Sequence, residues 1–236
     1  MRYPILYFLL PLLAVSCCSL YKEEKSVTKT VDFENVVALI LVESNGITIS
    51  SGSGTVIDSE KGDETNDVAV LTAKHVIESN EDNIAIKVVL GELSFYAKEA
   101  ILHPTYDIAV LAFQTSHVLS CAEIDNGNPK PIEEVYAAGY PLQIGLIVSH
   151  GIANYETFQS TARGFAPLWL CSAPIYPGNS GGGVFSKESG KLIGVSVMVG
   201  AQLSGFDQRI VPHIHFFIPT AAIHSWIKGV NDERER

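Results

Sequence analysis

Pro177-Gly178-Asn179-Ser180-Gly181-Gly182-Gly183 is the stretch on which the reading of this 236-residue chain turns. It reads as a sharp turn that projects one hydroxyl and crowds backbone N–H groups around it. Its four glycines permit backbone angles and close approaches that side chains block. A nucleophile needs such surroundings, because the oxyanion formed on attack must be met by preorganised donors. Gly-rich turns are common, so the stretch gains its weight from what lies upstream.

Two upstream segments complete a hydrolytic set. In Leu71-Thr72-Ala73-Lys74-His75-Val76-Ile77, an apolar run ends in a histidine beside a short helical-looking turn. In Tyr106-Asp107-Ile108-Ala109-Val110-Leu111, an aspartate stands at the mouth of a β-branched strand. Taken singly, each is ordinary: a turn serine, a surface histidine, a capping aspartate. Their chain order is His, Asp, Ser. Subtilisin-like enzymes run Asp, His, Ser, and α/β-hydrolases run Ser, acid, His, so only the chymotrypsin arrangement fits.

Together with Gly52-Ser53-Gly54-Thr55-Val56-Ile57, these segments resemble those of trypsin-like serine endopeptidases, and within that group the Deg/HtrA type of protease domain. The resemblance covers residues 36–227 in register. Lys74 stands where the family usually has Ala, and Gly183 where it has Pro; neither position does chemistry. The resemblance implies an all-β fold of two six-stranded antiparallel β-barrels with a short C-terminal helix. It also implies roles. Ser180 attacks a scissile carbonyl, His75 takes the proton and returns it to the leaving amine, and Asp107 fixes the imidazole tautomer. The oxyanion hole falls in Gly178, Asn179 and Ser180, on the backbone N–H groups of Gly178 and Ser180. Activity should rise with pH as His75 loses its proton. Asn179 replaces the aspartate that pairs with a freshly cut N-terminus in digestive relatives, so no activating cut is expected near Val36.

The substrate pocket follows from the same resemblance. Its walls are Ala173 to Tyr176, Val195, Ser196, Val197 and Met198, and the strand around His215 and Phe216. Pro174 stands at the base position where trypsin-type pockets carry aspartate, so cleavage after Lys or Arg is not expected. A small or medium apolar P1 residue is the default. His215 has two readings: an imidazole that favours an acidic P1 side chain, or a core group packed against its strand. Ser196 to Met198 could pair with substrate backbone as an added strand. No PDZ-like extension is expected after the protease unit, which argues against peptide-gated activation of the kind many Deg-type relatives use.

Composition sets the outer bounds. A mean hydropathy of +0.21 and 18% charged residues describe a well-cored globular chain. A formal net charge of −10 argues against nucleic-acid binding, which needs basic patches. The N-terminus reads as a signal peptide over residues 1–16, with Arg2 before an apolar stretch too short for a membrane span. Ala14-Val15-Ser16-Cys17 also resembles a bacterial lipoprotein box with Cys17 acylated, so both lipid anchoring and plain secretion stand. Residues 17–35 form a polar tether, 36–230 the protease domain, and 231–236 a solvated tail. An exported protein can oxidise thiols, so Cys121 and Cys171 are a candidate disulfide or two separate buried thiols. His213 and His215 share a strand face without a third ligand; no metal site and no cofactor are expected.

The strand pattern supports two barrels. Residues 36–42 and 48–57 alternate or run apolar, with Ser44-Asn45-Gly46 as their turn. Residues 58–67 read as a polar hairpin tip, and 68–73, 83–90, 93–102 and 108–113 as further strands of an N-barrel spanning 36–115. Residues 116–131 form the crossover. The C-barrel, 132–219, draws on 134–139, 144–155, 168–173, 183–185, 192–199 and 213–218. Residues 220–230 form a closing helix with Thr220 as N-cap and Ile223 and Ile227 on one face. Loops 58–67 and 158–166 are the candidates for gating access. The function expected is that of a serine endopeptidase acting on protein or peptide substrates in envelope or extracellular processing or quality control. The alternatives are a peptide-binding barrel with incidental catalysis, and esterase activity on the same triad.

Overall fold

The β-branched runs of the first half fold as strands, with one short helix before the first of them and another after the third. A computed structural model describes residues 30–62, 64–161, 164–199 and 214–234. The segment read as a leader, Cys17, all but the end of the segment read as a tether, and His213 lie outside the described residues. The first half comprises α1 (Phe33–Val36), β1 (Val37–Ser44), β2 (Ile47–Lys61), β3 (Asn66–Thr72), α2 (Lys74–Ile77), β4 (Ile84–Leu90), β5 (Leu93–Tyr96), β6 (Glu99–Leu102) and β7 (Ala109–Thr115). These strands form one antiparallel sheet in the order β5-β4-β1-β2-β3-β7-β6.

The count differs from the six expected, and the reason is closure. The single strand read over 93–102 breaks at Ala97 and Lys98. Ala97 N–H donates to Ile86 O at one edge of the sheet (2.9 Å), and Lys98 N–H to Ala112 O near the other (2.8 Å). Adjacent amides of extended chain point to opposite sides, so this bend carries the chain from one edge of the curled sheet to the other. The expected tip at 58–67 is also mostly strand. β2 runs on to Lys61, with a register shift between Val56 and Asp58, and its polar end pairs with Asn66 to Ala69.

The second half is a closed six-stranded barrel in the order β10-β13-β12-β11-β8-β9. Its strands are β8 (Glu133–Gly139), β9 (Ile147–Thr161), β10 (Gly164–Cys171), β11 (Gly183–Ser186), β12 (Leu192–Val199) and β13 (His215–Pro219). Alternate residues Val135 and Ala137 of β8 and Trp169 and Cys171 of β10 point inward to a core with Ile193 and Phe217. β9 and β10 stay paired out to Thr161 and Gly164, so the predicted 158–166 loop is the far end of a long ribbon.

The halves are packed and stitched together. Phe185, Leu192, Val195 and Phe216 of the barrel join the core of the curled sheet. In the crossover, Ala122 N–H donates to Val56 O and Asp125 N–H to Leu192 O, both at 2.8 Å. Phe33 sets its ring edge-on against Phe185 at 5.2 Å and Tyr136 at 5.9 Å, tying the start of the domain to the second barrel. The closing helix α3 spans Thr220–Arg234, longer than expected, and buries Ile223, Ile227 and Val230. Thr220 does not use its hydroxyl as an N-cap acceptor: it donates to Asp125 O at 2.7 Å, tying helix to crossover. Among the described residues no helix is long and apolar enough to cross a membrane.

Candidate active site

His75 lies in the four-residue α2, directly after β3 ends at Thr72. Its imidazole Nδ1 is 2.6 Å from Asp107 Oδ2, and its backbone N–H donates to Asp107 Oδ1 at 2.8 Å. One carboxylate therefore fixes both the ring and the backbone beneath it. With Asp107 ionised, Nδ1 carries the proton and Nε2 presents a lone pair. The two side chains are 33% and 21% exposed, open enough for a substrate and closed enough to keep the pair from full screening.

Asp107 is aimed by a residue that the sequence reading passed over. His103 N–H donates to Ile108 O, closing the loop that presents the carboxylate. Its Nδ1 accepts from Thr105 N–H at 3.1 Å and Tyr106 N–H at 2.9 Å. The ring is stacked on Tyr106 at 4.6 Å and met edge-on by Trp226 of α3 at 4.8 Å. Accepting two amides requires an unprotonated Nδ1. Burial, and then the Lys74 cation, hold His103 below the ordinary histidine value. The pair His103-Pro104, four residues before the aspartate, is the only local trace of this loop in the sequence.

The serine turn is organised by peptide planes. Four successive planes run from Pro177 to Gly181. Pro177 O accepts from Leu142 N–H at 3.0 Å. The Gly178–Asn179 plane is held at both ends, by Ser53 Oγ donating to Gly178 O at 2.7 Å and by Asn179 N–H donating to Tyr176 O at 2.9 Å. Asn179 O accepts from Gly182 N–H at 2.9 Å. The Ser180–Gly181 plane is again held at both ends, by Ser53 N–H on Ser180 O and by Gly181 N–H on Ser196 O, each at 2.7 Å. Every carbonyl is engaged, whereas the N–H groups of Gly178 and Ser180 donate to no acceptor among the described residues. Of the three residues named for an oxyanion hole, Asn179 thus has its amide engaged, and the free donors are its two neighbours.

Two glycines make this turn possible. Gly178 has φ +100°, and a Cβ there would meet Leu142 N and Tyr140 O at 2.8 Å. Gly181 has φ +86°, and a Cβ would fall 2.1 Å from Ser53 O and 2.8 Å from Ala73 N. That second approach puts the serine turn against the end of β3, two residues before His75. Ser180 O and the Val76 side chain likewise converge on the Cβ position of Gly52. The three distant segments read from the sequence therefore meet where the two halves join.

The expected pocket residues are unequal. Ala173, Val195, Ser196, Val197 and His215 are buried, while Tyr176 is half exposed. Met198 pairs through its backbone with Phe216. Ser196 is not an open edge residue at its backbone: its N–H and C=O both bond the serine turn. His215 is 3% exposed, and its Nε2 accepts the Ile175 N–H at 3.3 Å, the packed arrangement of the two considered. Cys121 and Cys171 are separate free thiols, not a disulfide. Cys171 lies in β10 inside the barrel, with Sγ accepting from Ala173 N–H and its thiol pushed up to about 11 by burial. Cys121 is exposed in the crossover beside the other half. Among the described residues no group of three His, Cys, Asp or Glu side chains could hold a metal.

The comparisons with known proteins agree with this geometry. The trypsin-like peptidase domain model matches residues 52–195. A probable periplasmic serine endoprotease, DegP-like, from Marinomonas sp. is 27% identical over 158 residues, which is 66% of this chain and 31% of that protein. The corresponding DegP-like protein of Pseudomonas putida is 28% identical over 157 residues, with the same shares. The chain thus spans about a third of the length of these relatives. The solved serine endoprotease of Yersinia pestis superposes with a TM-score of 0.63 at 26% identity, over 83% of this chain and 62% of that one. An HtrA-type protease solved with tripeptide shares the fold, with a TM-score of 0.67 at 23% identity, over 84% and 60% of the two chains. With its family match running from the Gly52 strand through the serine turn to Val195, over more than half of its length, this chain belongs to the trypsin-like peptidase family.

Proposed function

We propose that the protein is a serine endopeptidase that cleaves peptide bonds with His75, Asp107 and Ser180 as its triad and the Gly178 and Ser180 amides as its oxyanion hole. The observation that carries this reading is the pair of unengaged amides flanking Asn179, in a turn packed beside an imidazole whose Nδ1 already faces a carboxylate. Ser180 Oγ attacks the carbonyl carbon as its proton passes to His75 Nε2. The carbonyl oxygen becomes an oxyanion that accepts from the two amides. His75 then protonates the leaving amine, and a water repeats the sequence on the acyl-enzyme. Each oxyanion donor stabilises the transition state by roughly 3 kcal/mol.

Two finer readings go with it. No activating N-terminal cut is needed. Asn179 is a buried amide that cannot form an ion pair with an ammonium group, and residues before Val36 already belong to the fold through the Phe33 contacts. The favoured P1 residue is small or medium and apolar. Pro174 gives the pocket base no carboxylate, and the His215 nitrogen that accepts from Ile175 supports its core role over reading an acidic side chain. The periplasmic naming of the relatives, with the leader-like N-terminus, supports work outside the cytoplasm, anchored through Cys17 or secreted. Cleavage-site mapping on a peptide library tests the reading. Cuts after apolar residues that vanish in Ser180→Ala are expected; cuts after Lys, Arg or Glu would contradict the pocket assignment. Mass measurement of the mature N-terminus distinguishes an acylated Cys17 from a free one.

A further inference from the structure

Ser53 is wholly buried, and all of its polar groups face the seam. Its hydroxyl donates to Gly178 O at 2.7 Å and accepts from Tyr140 N–H at 2.8 Å. Its N–H donates to Ser180 O, and its C=O accepts from Thr72 Oγ1, each at 2.7 Å. One residue of β2 thus holds a carbonyl on each side of Asn179 and is itself held from the end of β3, three residues before His75. Tyr140, held by the same hydroxyl, opens the turn whose Leu142 N–H bonds Pro177 O. That turn is strained, with φ of 52° at Leu142 and 58° at Gln143, so it persists only where its surroundings over-determine it.

From this we infer that Ser53 is a positioning residue for catalysis: its hydroxyl sets the peptide planes that leave the Gly178 and Ser180 amides aimed at the oxyanion. The inference rests on the oxyanion-hole reading above and adds the residue that maintains it. The physical reason is planarity. A peptide unit turns as one body, so gripping Gly178 O from one side and Asn179 N–H from the other fixes that plane, and the neighbouring planes can then differ from it only through Gly178 and Asn179. Through Tyr140 the same hydroxyl also steadies the Pro177 carbonyl and, with it, the Gly178 N–H. Without the hydroxyl, Gly178 O and Tyr140 N–H lose their shared partner, and rotation about Gly178 becomes the easiest way to find another.

The test uses the full chain with Ser53→Ala and Ser53→Gly, both lacking only the γ-hydroxyl in polar terms. Each is compared with wild type and Ser180→Ala, and active sites are titrated by fluorophosphonate so that rates refer to folded enzyme. The expected result is a fall in kcat of about 10- to 100-fold, equal in the two variants although their melting temperatures differ, with KM within about 3-fold. A peptide boronic acid, which becomes a tetrahedral anion when Ser180 Oγ adds to its boron, should lose affinity by the same factor as kcat/KM. Wild-type kcat per titrated site, a kcat loss that merely tracks melting temperature, or a rise in KM alone would overturn the role of Ser53. Full activity in Ser180→Ala would instead overturn the serine-nucleophile reading on which the oxyanion hole rests, so the two failures are distinguishable.

Discussion

In the curled N-terminal sheet the groups proposed to react are side chains, His75 and Asp107, joined by two hydrogen bonds. In the closed C-terminal barrel they are one hydroxyl and two backbone amides held in a glycine turn. On the proposed reading the halves divide the chemistry into proton transfer on one side and charge stabilisation on the other. Proton transfer depends on which functional groups are within reach. Charge stabilisation depends on the orientation of peptide planes, which no single residue carries. The nucleophile turn depends on Ser53, 125 residues from Gly178, and on Leu142 in the turn after β8.

If that division holds, removing a reactive side chain should do the most damage. Ser180→Ala and His75→Ala are each expected to lower kcat by on the order of 10⁴- to 10⁶-fold, with folding unchanged by circular dichroism. Asp107→Asn should lose about 10⁴-fold, because the amide no longer imposes the Nδ1–H tautomer. Damage to the backbone side should be smaller but coupled to stability. Gly181→Ala places a Cβ 2.1 Å from Ser53 O at positive φ. It should cut kcat by roughly 10²- to 10³-fold and cost about 3 kcal/mol of stability in urea titrations.

A gentler test bears on the side-chain half alone. His103→Ala leaves the triad intact but frees the loop that aims Asp107, so a kcat loss on the order of 10-fold is expected. His103 also sets a pH signature. The fold holds it below the ordinary value of 6.5, so the unfolded chain takes up a proton more readily. Its stabilising contribution is fully present above 6.5 and declines as pH falls below that value toward its folded-state pKa. Urea titrations at stepped pH should show this acid-side decline in wild type and a flatter profile in His103→Gln. The smallest effect concerns the thiols. A maleimide should label Cys121 in the native protein and Cys171 only after unfolding, with no mass change on reduction.

What the sequence made legible follows the same division. The order of His75, Asp107 and Ser180, and the glycines around Ser180, pointed to the fold and to segments that meet in it, because side-chain identity and backbone permissiveness are local properties. The role of Ser53 was hidden inside a recognised motif, since its partners Gly178 and Tyr140 are near only in space. His103 was passed over because a histidine accepting amides from its own loop leaves no pattern beyond a short spacing. The break at Ala97 and Lys98 was invisible for a related reason: residues 93–102 have strand character throughout, and only closure of the sheet demands a bend. Cys121 and Cys171 show the converse limit, as compatible redox chemistry says nothing about distance.

The central claim is that a serine in the barrel is made nucleophilic by an imidazole held from the sheet. Fluorophosphonate labelling of the full chain, with the adduct located by peptide mass mapping, addresses it most directly. The account predicts a single adduct on Ser180, absent in Ser180→Ala and strongly slowed in His75→Ala. Failure of the folded wild-type protein to label, or labelling at another residue that survives Ser180→Ala, would contradict it.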